Sequence, residues 1–278
     1  MDIYYINGEF VEDEQAQISV NDLSVIRGFG VFDFLRTYNK FPFHLDAHLN
    51  RLERSARLLN LQLPESKEDI AKIVTETLTR NNHKESNIRL VVTGGLSNDG
   101  ITPGDSPKLL VMVTCVQPMP EKWYSDGAKV ITSHVERFMP GAKSINYIPA
   151  ILCQNEARTQ QAIEAVYIDK NGYMLEGTTS NFFAFIGDTL ITPPCTRVLP
   201  GITRQVVLTL AEKEYTIVER ELHKDEVRLL DEAFICSSIR EIVPIAAIDS
   251  IKLGDGKPGD RTRYIMSLFR DITNSYKG

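Results

Sequence analysis

The dipeptide Asn7-Gly8, set between Tyr4-Tyr5-Ile6 and Phe10-Val11, is the feature near the start of the chain that most restricts its fold. Both residues tolerate positive φ, which a two-residue hairpin turn requires if its twist is to match that of the strands it joins. The pattern recurs where apolar segments at 31–38 and 41–45 flank Asn39-Lys40. The first 45 residues therefore read as strands joined by tight turns.

Helices follow these hairpins without a regular strand–helix–strand rhythm. Leu49, Leu52, Ala56 and Leu59 recur at helical spacing and predict a helix over 46–60, capped by Asp46. A second helix is expected over 67–80, capped by Ser66 with Asp69 three residues on, burying Ile70, Ile73, Val74 and Leu78. Strands at 88–93 and 109–116 enclose a loop rich in Gly, Asp and Pro.

Further on, the pattern predicts a strand at 129–135, a helix at 150–164, a hairpin around Asp169-Lys170-Asn171-Gly172 and a strand at 182–186. The remainder reads as helix 203–214, strand 215–220, helix 224–230, strand 233–237 and a terminal helix from about Asp260. The mixture implies an α+β fold.

A chain of 278 residues suits two domains, since each usually takes roughly 100–200 residues. Gln117-Pro118-Met119-Pro120-Glu121, polar and proline-bearing after a strand, marks the boundary. The expected division is a small domain over 1–117, a linker over 118–128 and a large domain over 129–278. A net charge of −6 argues against a nucleic-acid surface. Neither a signal peptide nor an apolar stretch of membrane-spanning length is evident, and the four cysteines are scattered, with no CxxC pair. Cys115 and Cys236, each in an apolar run, are expected as buried free thiols. The expectation is a cytoplasmic protein with no metal site, no nucleic-acid partner and no membrane partner.

Four segments carry the chemistry. Ala142-Lys143-Ser144-Ile145-Asn146-Tyr147 reads, taken alone, as a solvated helix start. Leu175-Glu176-Gly177-Thr178-Thr179-Ser180-Asn181 alone is a polar turn between apolar strands. Leu199-Pro200-Gly201-Ile202-Thr203-Arg204 is a plain helix cap, or a phosphate seat built from unpaired N–H groups at the positive end of a helix dipole. Cys236-Ser237-Ser238-Ile239-Arg240-Glu241-Ile242-Val243-Pro244 sets two hydroxyls at a strand end.

In this order and spacing the four segments resemble those of the fold-type-IV enzymes that use pyridoxal 5′-phosphate (PLP): branched-chain and D-amino-acid aminotransferases and aminodeoxychorismate lyase. Gly28-Phe29-Gly30-Val31-Phe32-Asp33 and His48-Leu49-Asn50-Arg51-Leu52 extend the resemblance into the first half, over nearly the whole chain. The resemblance implies a Schiff base between Lys143 and the cofactor, with the freed amine moving the substrate α-proton. It implies Glu176 beside the pyridine nitrogen, Asn181 in the same surroundings and Leu199 against one ring face. Tyr147 falls near the ring hydroxyl, although it follows Lys143 at an offset one residue shorter than in branched-chain enzymes. Arg51, Ile202, Thr203 and Ser238 are implied at the phosphate. Arg51 is the least expected of these from periodicity, because Arg51, Arg54 and Arg57 all lie off the apolar stripe of their helix, where a solvated arginine is the default.

The segments around Lys143 and Glu176 look closest to the D-amino-acid aminotransferases, whereas Ile88-Arg89-Leu90 resembles the branched-chain pattern. The arginine that D-specific enzymes use for the α-carboxylate is absent, and Gly94 stands in its place. Arg27 and Arg89 are the replacements, with Phe32 and Ile239 also facing substrate. Each arginine has a structural alternative, pairing with Asp22 or Asp33. The reading is a homodimeric transaminase acting between a D-amino acid, D-glutamate or D-alanine, and a 2-oxo acid such as 2-oxoglutarate. The alternatives are an L-branched-chain aminotransferase, aminodeoxychorismate lyase and a catalytically idle PLP-binding relative. Arg240 has no evident role.

Overall fold

A computed structural model describes all residues, Met1–Gly278. The chain forms two compact units. One comprises Met1–Gln117 with Ala142–Asn146 and Asn274–Gly278; the other comprises Pro118–Gly141 and Tyr147–Thr273.

In the first unit, β1 (Ile3–Ile6) and β2 (Glu9–Glu12) form the hairpin, with Asn7 and Gly8 at φ 45° and 105°. Then come α1 (Leu23–Arg27), β3 (Gly30–Tyr38), β4 (Phe41–Pro42), α2 (Leu45–Leu58), α3 (Lys67–Arg80), β5 (Ser86–Thr93) and β6 (Leu109–Cys115). Asn39 and Lys40, both at positive φ, turn β3 into β4. The six strands make an antiparallel sheet in the order β2-β1-β6-β5-β3-β4. Strand alternation gives the sheet two unlike faces. Val31, Leu35, Ile88, Leu90, Val92, Val111 and Val113 pack against Leu49, Leu52 and Ala56 of α2 and Ile70 and Val74 of α3. On β5, Arg89 alternates with Ile88 and Leu90 and is exposed; its cross-strand partner is Phe34.

The helix start at α2 differs from the expectation. His44, at φ 50° and ψ 45°, occupies the cap position, and Asp46 lies within the first turn. There its charge still suits the helix dipole. At α3 the Ser66 hydroxyl accepts from the Asp69 N–H at 3.1 Å, the expected cap. Ile73 and Leu78 are only partly buried. Cys115 ends β6 and is exposed, against expectation, while Cys236 is buried.

The second unit contains α4 (Lys122–Ser125), β7 (Ala128–His134), α5 (Ile148–Thr159), β8 (Glu164–Ile168), β9 (Tyr173–Gly177), β10 (Asn181–Ile186), β11 (Thr189–Thr192), α6 (Ile202–Ala211), β12 (Thr216–Glu219), β13 (Leu222–His223), β14 (Glu232–Ser237), β15 (Glu241–Ile248) and β16 (Ile251–Lys252), with most of α7 (Asp260–Ser275). Its ten-stranded sheet runs β12-β11-β10-β14-β15-β7-β8-β9-β13, with β16 on β15. The β11–β12, β15–β7 and β7–β8 pairs are parallel. Both sheet faces are covered: Val166 and Ile168 enter one core, Ala165 and Tyr167 the other. Strands buried on both sides read as continuous apolar runs, as Phe182-Phe183-Ala184-Phe185 does.

Several expectations fail here. Helix α5 spans Ile148–Thr159, with Pro149 in its first turn, and ends before Gln161 turns the chain at φ 60°. Residues 224–229 form a 3₁₀-helix. The sequence reading omitted α4, β11, β13, β15 and β16 here, and in the first unit it took residues 23–27, which form α1, as part of a strand-and-turn region. Strand β15 carries Pro244, which pairs with Phe234 of β14 before β7 joins on the other side from Ile245 onward. No helix is long and apolar enough to cross a membrane.

Candidate active site

Lys143 sits on a short segment that adds to the edge of β3. The Phe32 N–H donates to the Lys143 carbonyl at 2.9 Å, Ile145 N–H donates to Gly30, and Val31 bridges Ser144. The Lys143 N–H donates to the Ser55 hydroxyl at 3.1 Å, and that hydroxyl donates to the Arg51 carbonyl at 2.7 Å. The lysine backbone is thereby fixed to both β3 and α2. Its Nζ lies 4.5 Å from the centroid of the Phe32 ring. An ammonium over an aromatic face is held without losing its reach.

Arg51 is 5% exposed, against the solvated default of its position off the apolar stripe. Asp33, fully buried, accepts from Arg51 Nε at 2.8 Å and Nη2 at 2.7 Å, and lies 2.6 Å from His48 Nδ1. Burial works to raise the Asp33 carboxyl, but the Arg51 guanidinium and His48 outweigh it and hold the group well below the usual carboxylate range. Burial pushes His48 down, against the upward pull of Asp33. Sequence reasoning missed Asp33, His48 and Ser55 as a group. A signal was present: His48, Arg51 and Ser55 recur at helical spacing beside the apolar stripe, and Asp33 shares the core-facing parity of Val31 and Leu35.

The two acids suggested as structural partners of Arg27 and Arg89 are engaged elsewhere. Asp22 caps α1, accepting from the Ser24 N–H and hydroxyl, and takes the Thr93 hydroxyl at 2.7 Å. Asp33 serves Arg51 and His48. Both arginines are exposed. Arg27 bonds the Ile26 carbonyl, and the Arg89 Cζ lies 5.5 Å from the Phe32 centroid and 5.2 Å from that of Phe34. At Gly94 a Cβ would stand 2.6 Å from Phe29 Cδ1 and 2.7 Å from Phe29 O, so no arginine fits there.

In the second unit, Glu176 leaves β9 buried, with Oε1 accepting from Arg137 Nη1 at 2.9 Å and Oε2 from the Leu199 N–H at 3.0 Å. Asn181, heading β10, donates to the Leu199 carbonyl at 2.9 Å and to Glu176 at 3.5 Å. Glu176, Asn181 and Leu199 are thus one bonded group, and Arg137 is a member the sequence reading missed. Helix α6 starts at Ile202 with Gly201 as its cap and no side chain satisfying its first N–H groups; Thr203 is buried. A Cβ on Gly201 would meet Asn181 Oδ1 at 2.0 Å, so the helix start abuts the same group. Ser238 and Ile239 form the half-buried turn after β14, whose Cys236 pairs with Asn181. Tyr147 caps α5. Arg240 finds its partner in buried Glu164, Nη1 to Oε2 at 2.7 Å.

This donor set fits the cofactor implied by the resemblance. Uncapped N–H groups beside Thr203 suit a phosphate, and a buried carboxylate suits a protonated ring nitrogen. The Gly201–Asn181 approach, too close to admit a Cβ, holds the uncapped helix start against the Glu176 group.

Comparison with known proteins agrees. The family model for class IV amino-transferases matches residues 30–248. A Methanocaldococcus jannaschii protein, provisionally named a branched-chain-amino-acid aminotransferase, is 36% identical over 98% of this chain and 96% of its own. A D-alanine aminotransferase of Listeria monocytogenes is 31% identical over 97% and 96%. A T.th. branched-chain amino acid aminotransferase, solved with pyridoxamine 5′-phosphate, superposes with a TM-score of 0.92 at 27% identity, covering 99% of this chain and 95% of that one. The chain belongs to the class IV aminotransferases, which are PLP-dependent transaminases.

Proposed function

We propose that this enzyme moves an amino group between a D-amino acid, D-glutamate or D-alanine, and a 2-oxo acid such as 2-oxoglutarate. The observation that carries the reading is the Phe32 ring, approached by both Lys143 Nζ at 4.5 Å and the Arg89 guanidinium at 5.5 Å. An anion-binding group close to the reactive amine suits a substrate whose carboxylate is held while its α-carbon reacts.

PLP supplies an electron sink for charge developing at the substrate α-carbon. Lys143 would hold the cofactor through its Nζ, and its free amine would take the substrate α-proton and return it. Arg51, the Ile202 and Thr203 N–H groups and the Ser238 hydroxyl would serve the phosphate. Glu176, ordered by Asn181 and the Leu199 N–H, would serve the ring nitrogen, Tyr147 the ring hydroxyl and Leu199 a ring face. Phe32 and Ile239 line the substrate space, and Arg27 and Arg89 take its carboxylates. The crowding at Gly94 supports the shift of carboxylate binding to these two arginines.

Arg27 acts on the active site of a neighbouring copy in a homodimer. The support is an apolar patch around it: Val20, Val25, Ile26, Leu96 and Ile101 are 74%, 53%, 36%, 41% and 67% exposed, and α1 is tied to this loop by the Leu23 N–H to Gly95 bond. Light scattering is expected to give a dimer at working concentration; a fully active monomer overturns the shared site.

A second reading, an L-branched-chain aminotransferase, is favoured by the names of the M. jannaschii and T.th. relatives. Single-turnover half-reactions separate the two. Faster reaction of D-glutamate or D-alanine than of L-leucine and L-glutamate supports the first reading, and the reverse order establishes the second.

A further inference from the structure

Glu164 and Arg240 form an ion pair whose surroundings tie it to two turns of the second unit. Glu164 opens β8 and is fully buried. One of its oxygens accepts from the Thr178 hydroxyl, the Gln154 amide and the Ala165 N–H. The other accepts from the Thr179 hydroxyl at 2.9 Å, the Ser180 hydroxyl at 3.3 Å and Arg240 Nη1 at 2.7 Å. Three consecutive hydroxyls thus converge on one carboxylate. The shape of the 178–180 turn is set by that charge, since Gln154 also reaches the Thr178 hydroxyl at 2.7 Å and draws it the same way.

Arg240 belongs to a different turn, the one joining β14 to β15. Its N–H donates to the Ser237 hydroxyl at 3.3 Å, its carbonyl accepts from the Tyr124 hydroxyl at 3.0 Å, and its guanidinium lies 5.7 Å from the Trp123 ring. The backbone of this turn is therefore anchored on one side while its side chain crosses to Glu164. The register Asn181↔Cys236 sets the start of β10 beside the end of β14, so the two turns lie at one end of neighbouring strands. The Arg240–Glu164 bond closes the gap between them. A buried carboxylate without its cation is strongly disfavoured, so neither turn can shift without the other.

We propose that Glu164 and Arg240 are positioning residues that set the spacing between the two turns for cofactor binding. This rests on the reading above, in which Glu176 and Asn181 flank the first turn and Ser238 and Ile239 lead into Arg240. Neither member of the pair is among the residues assigned to the cofactor. They act through the hydroxyl turn on one side and the Ser238–Ile239 backbone on the other.

The test is titration of cofactor-free enzyme with PLP, followed by absorbance, together with thermal unfolding and single-turnover half-reactions. Arg240→Met is expected to raise the PLP dissociation constant on the order of tenfold or more, as loss of a supporting residue commonly does. Arg240→Lys, which keeps the charge and an N–H donor, is expected to recover most of that loss. A variant with a lowered melting temperature but wild-type PLP affinity and half-reaction constants overturns the proposal, leaving the pair a structural brace. Should Arg240→Met not fold, Thr179→Val removes one donor and leaves the ion pair; weakened PLP binding supports the proposal and unchanged binding overturns it. Wild-type protein that takes up no PLP overturns the site assignment and this inference together. PLP uptake unchanged between wild type and variants overturns the inference alone.

Discussion

The Arg51 guanidinium grips the buried Asp33 carboxylate with two donors, Nε to Oδ2 at 2.8 Å and Nη2 to Oδ1 at 2.7 Å. Paired bonds of this kind fix the plane of the guanidinium as well as its position. The arginine proposed for the phosphate is thereby held in one orientation. Arg51→Ala is expected to weaken PLP binding roughly ten- to a hundredfold, the equivalent of a charge-assisted bond of about 1.5–3 kcal/mol. It also leaves the buried Asp33 carboxylate with His48 as its remaining partner, a loss of about 3–5 kcal/mol of stability. Titration and denaturant unfolding read the two effects separately, and full cofactor retention on dialysis contradicts the phosphate role.

His48 makes stability fall on mild acidification. Burial lowers its pKa from 6.5, with Arg51 and Lys143 pushing the same way and Asp33 opposing. The folded protein therefore resists a proton that the unfolded chain accepts below about pH 6.5. No stability is lost to this group above that pH. Below it, each pH unit costs up to about 1.4 kcal/mol until the folded value is reached. His44 is shifted in the same direction by burial. Asp33, depressed rather than raised, keeps its contribution throughout this window. Urea midpoints between pH 7 and pH 5 are expected to fall less steeply in His48→Gln than in the wild type, and equal slopes refute the assignment.

Arg27→Ala and Arg89→Ala are each expected to lower kcat/KM for D-glutamate about tenfold or more, the loss of one charge-assisted contact. The absorbance of bound PLP is expected to change little. Arg89→Ala that spares D-glutamate turnover removes Arg89 from the substrate's contacts.

The legible parts of the fold were those in which local chemistry and tertiary packing agree. Ser66 caps α3 because its hydroxyl and the Asp69 N–H stand three residues apart wherever that helix is placed. The Asn7-Gly8 hairpin follows equally from backbone preference. Where tertiary pairing decides, the sequence misleads. Strand β15 went unread; it pairs with β7, more than 100 residues away in sequence, a partnership that local pattern cannot show. Arg51 lies off the apolar stripe, and its burial depends on a carboxylate 18 residues away. The family resemblance identified Arg51 where periodicity placed it in solvent. Neither source suggested the partners of Arg240 and Glu176, because those are joined only when the second sheet is assembled.

Borohydride reduction of the PLP-loaded enzyme, followed by peptide mapping, shows which lysine carries the cofactor. A Schiff base at Lys143 predicts loss of the yellow chromophore on reduction and a pyridoxyl group on the peptide carrying that lysine. Lys143→Ala is expected to abolish both the reducible chromophore and turnover. A pyridoxyl group found on any other lysine, or retained by Lys143→Ala, contradicts it.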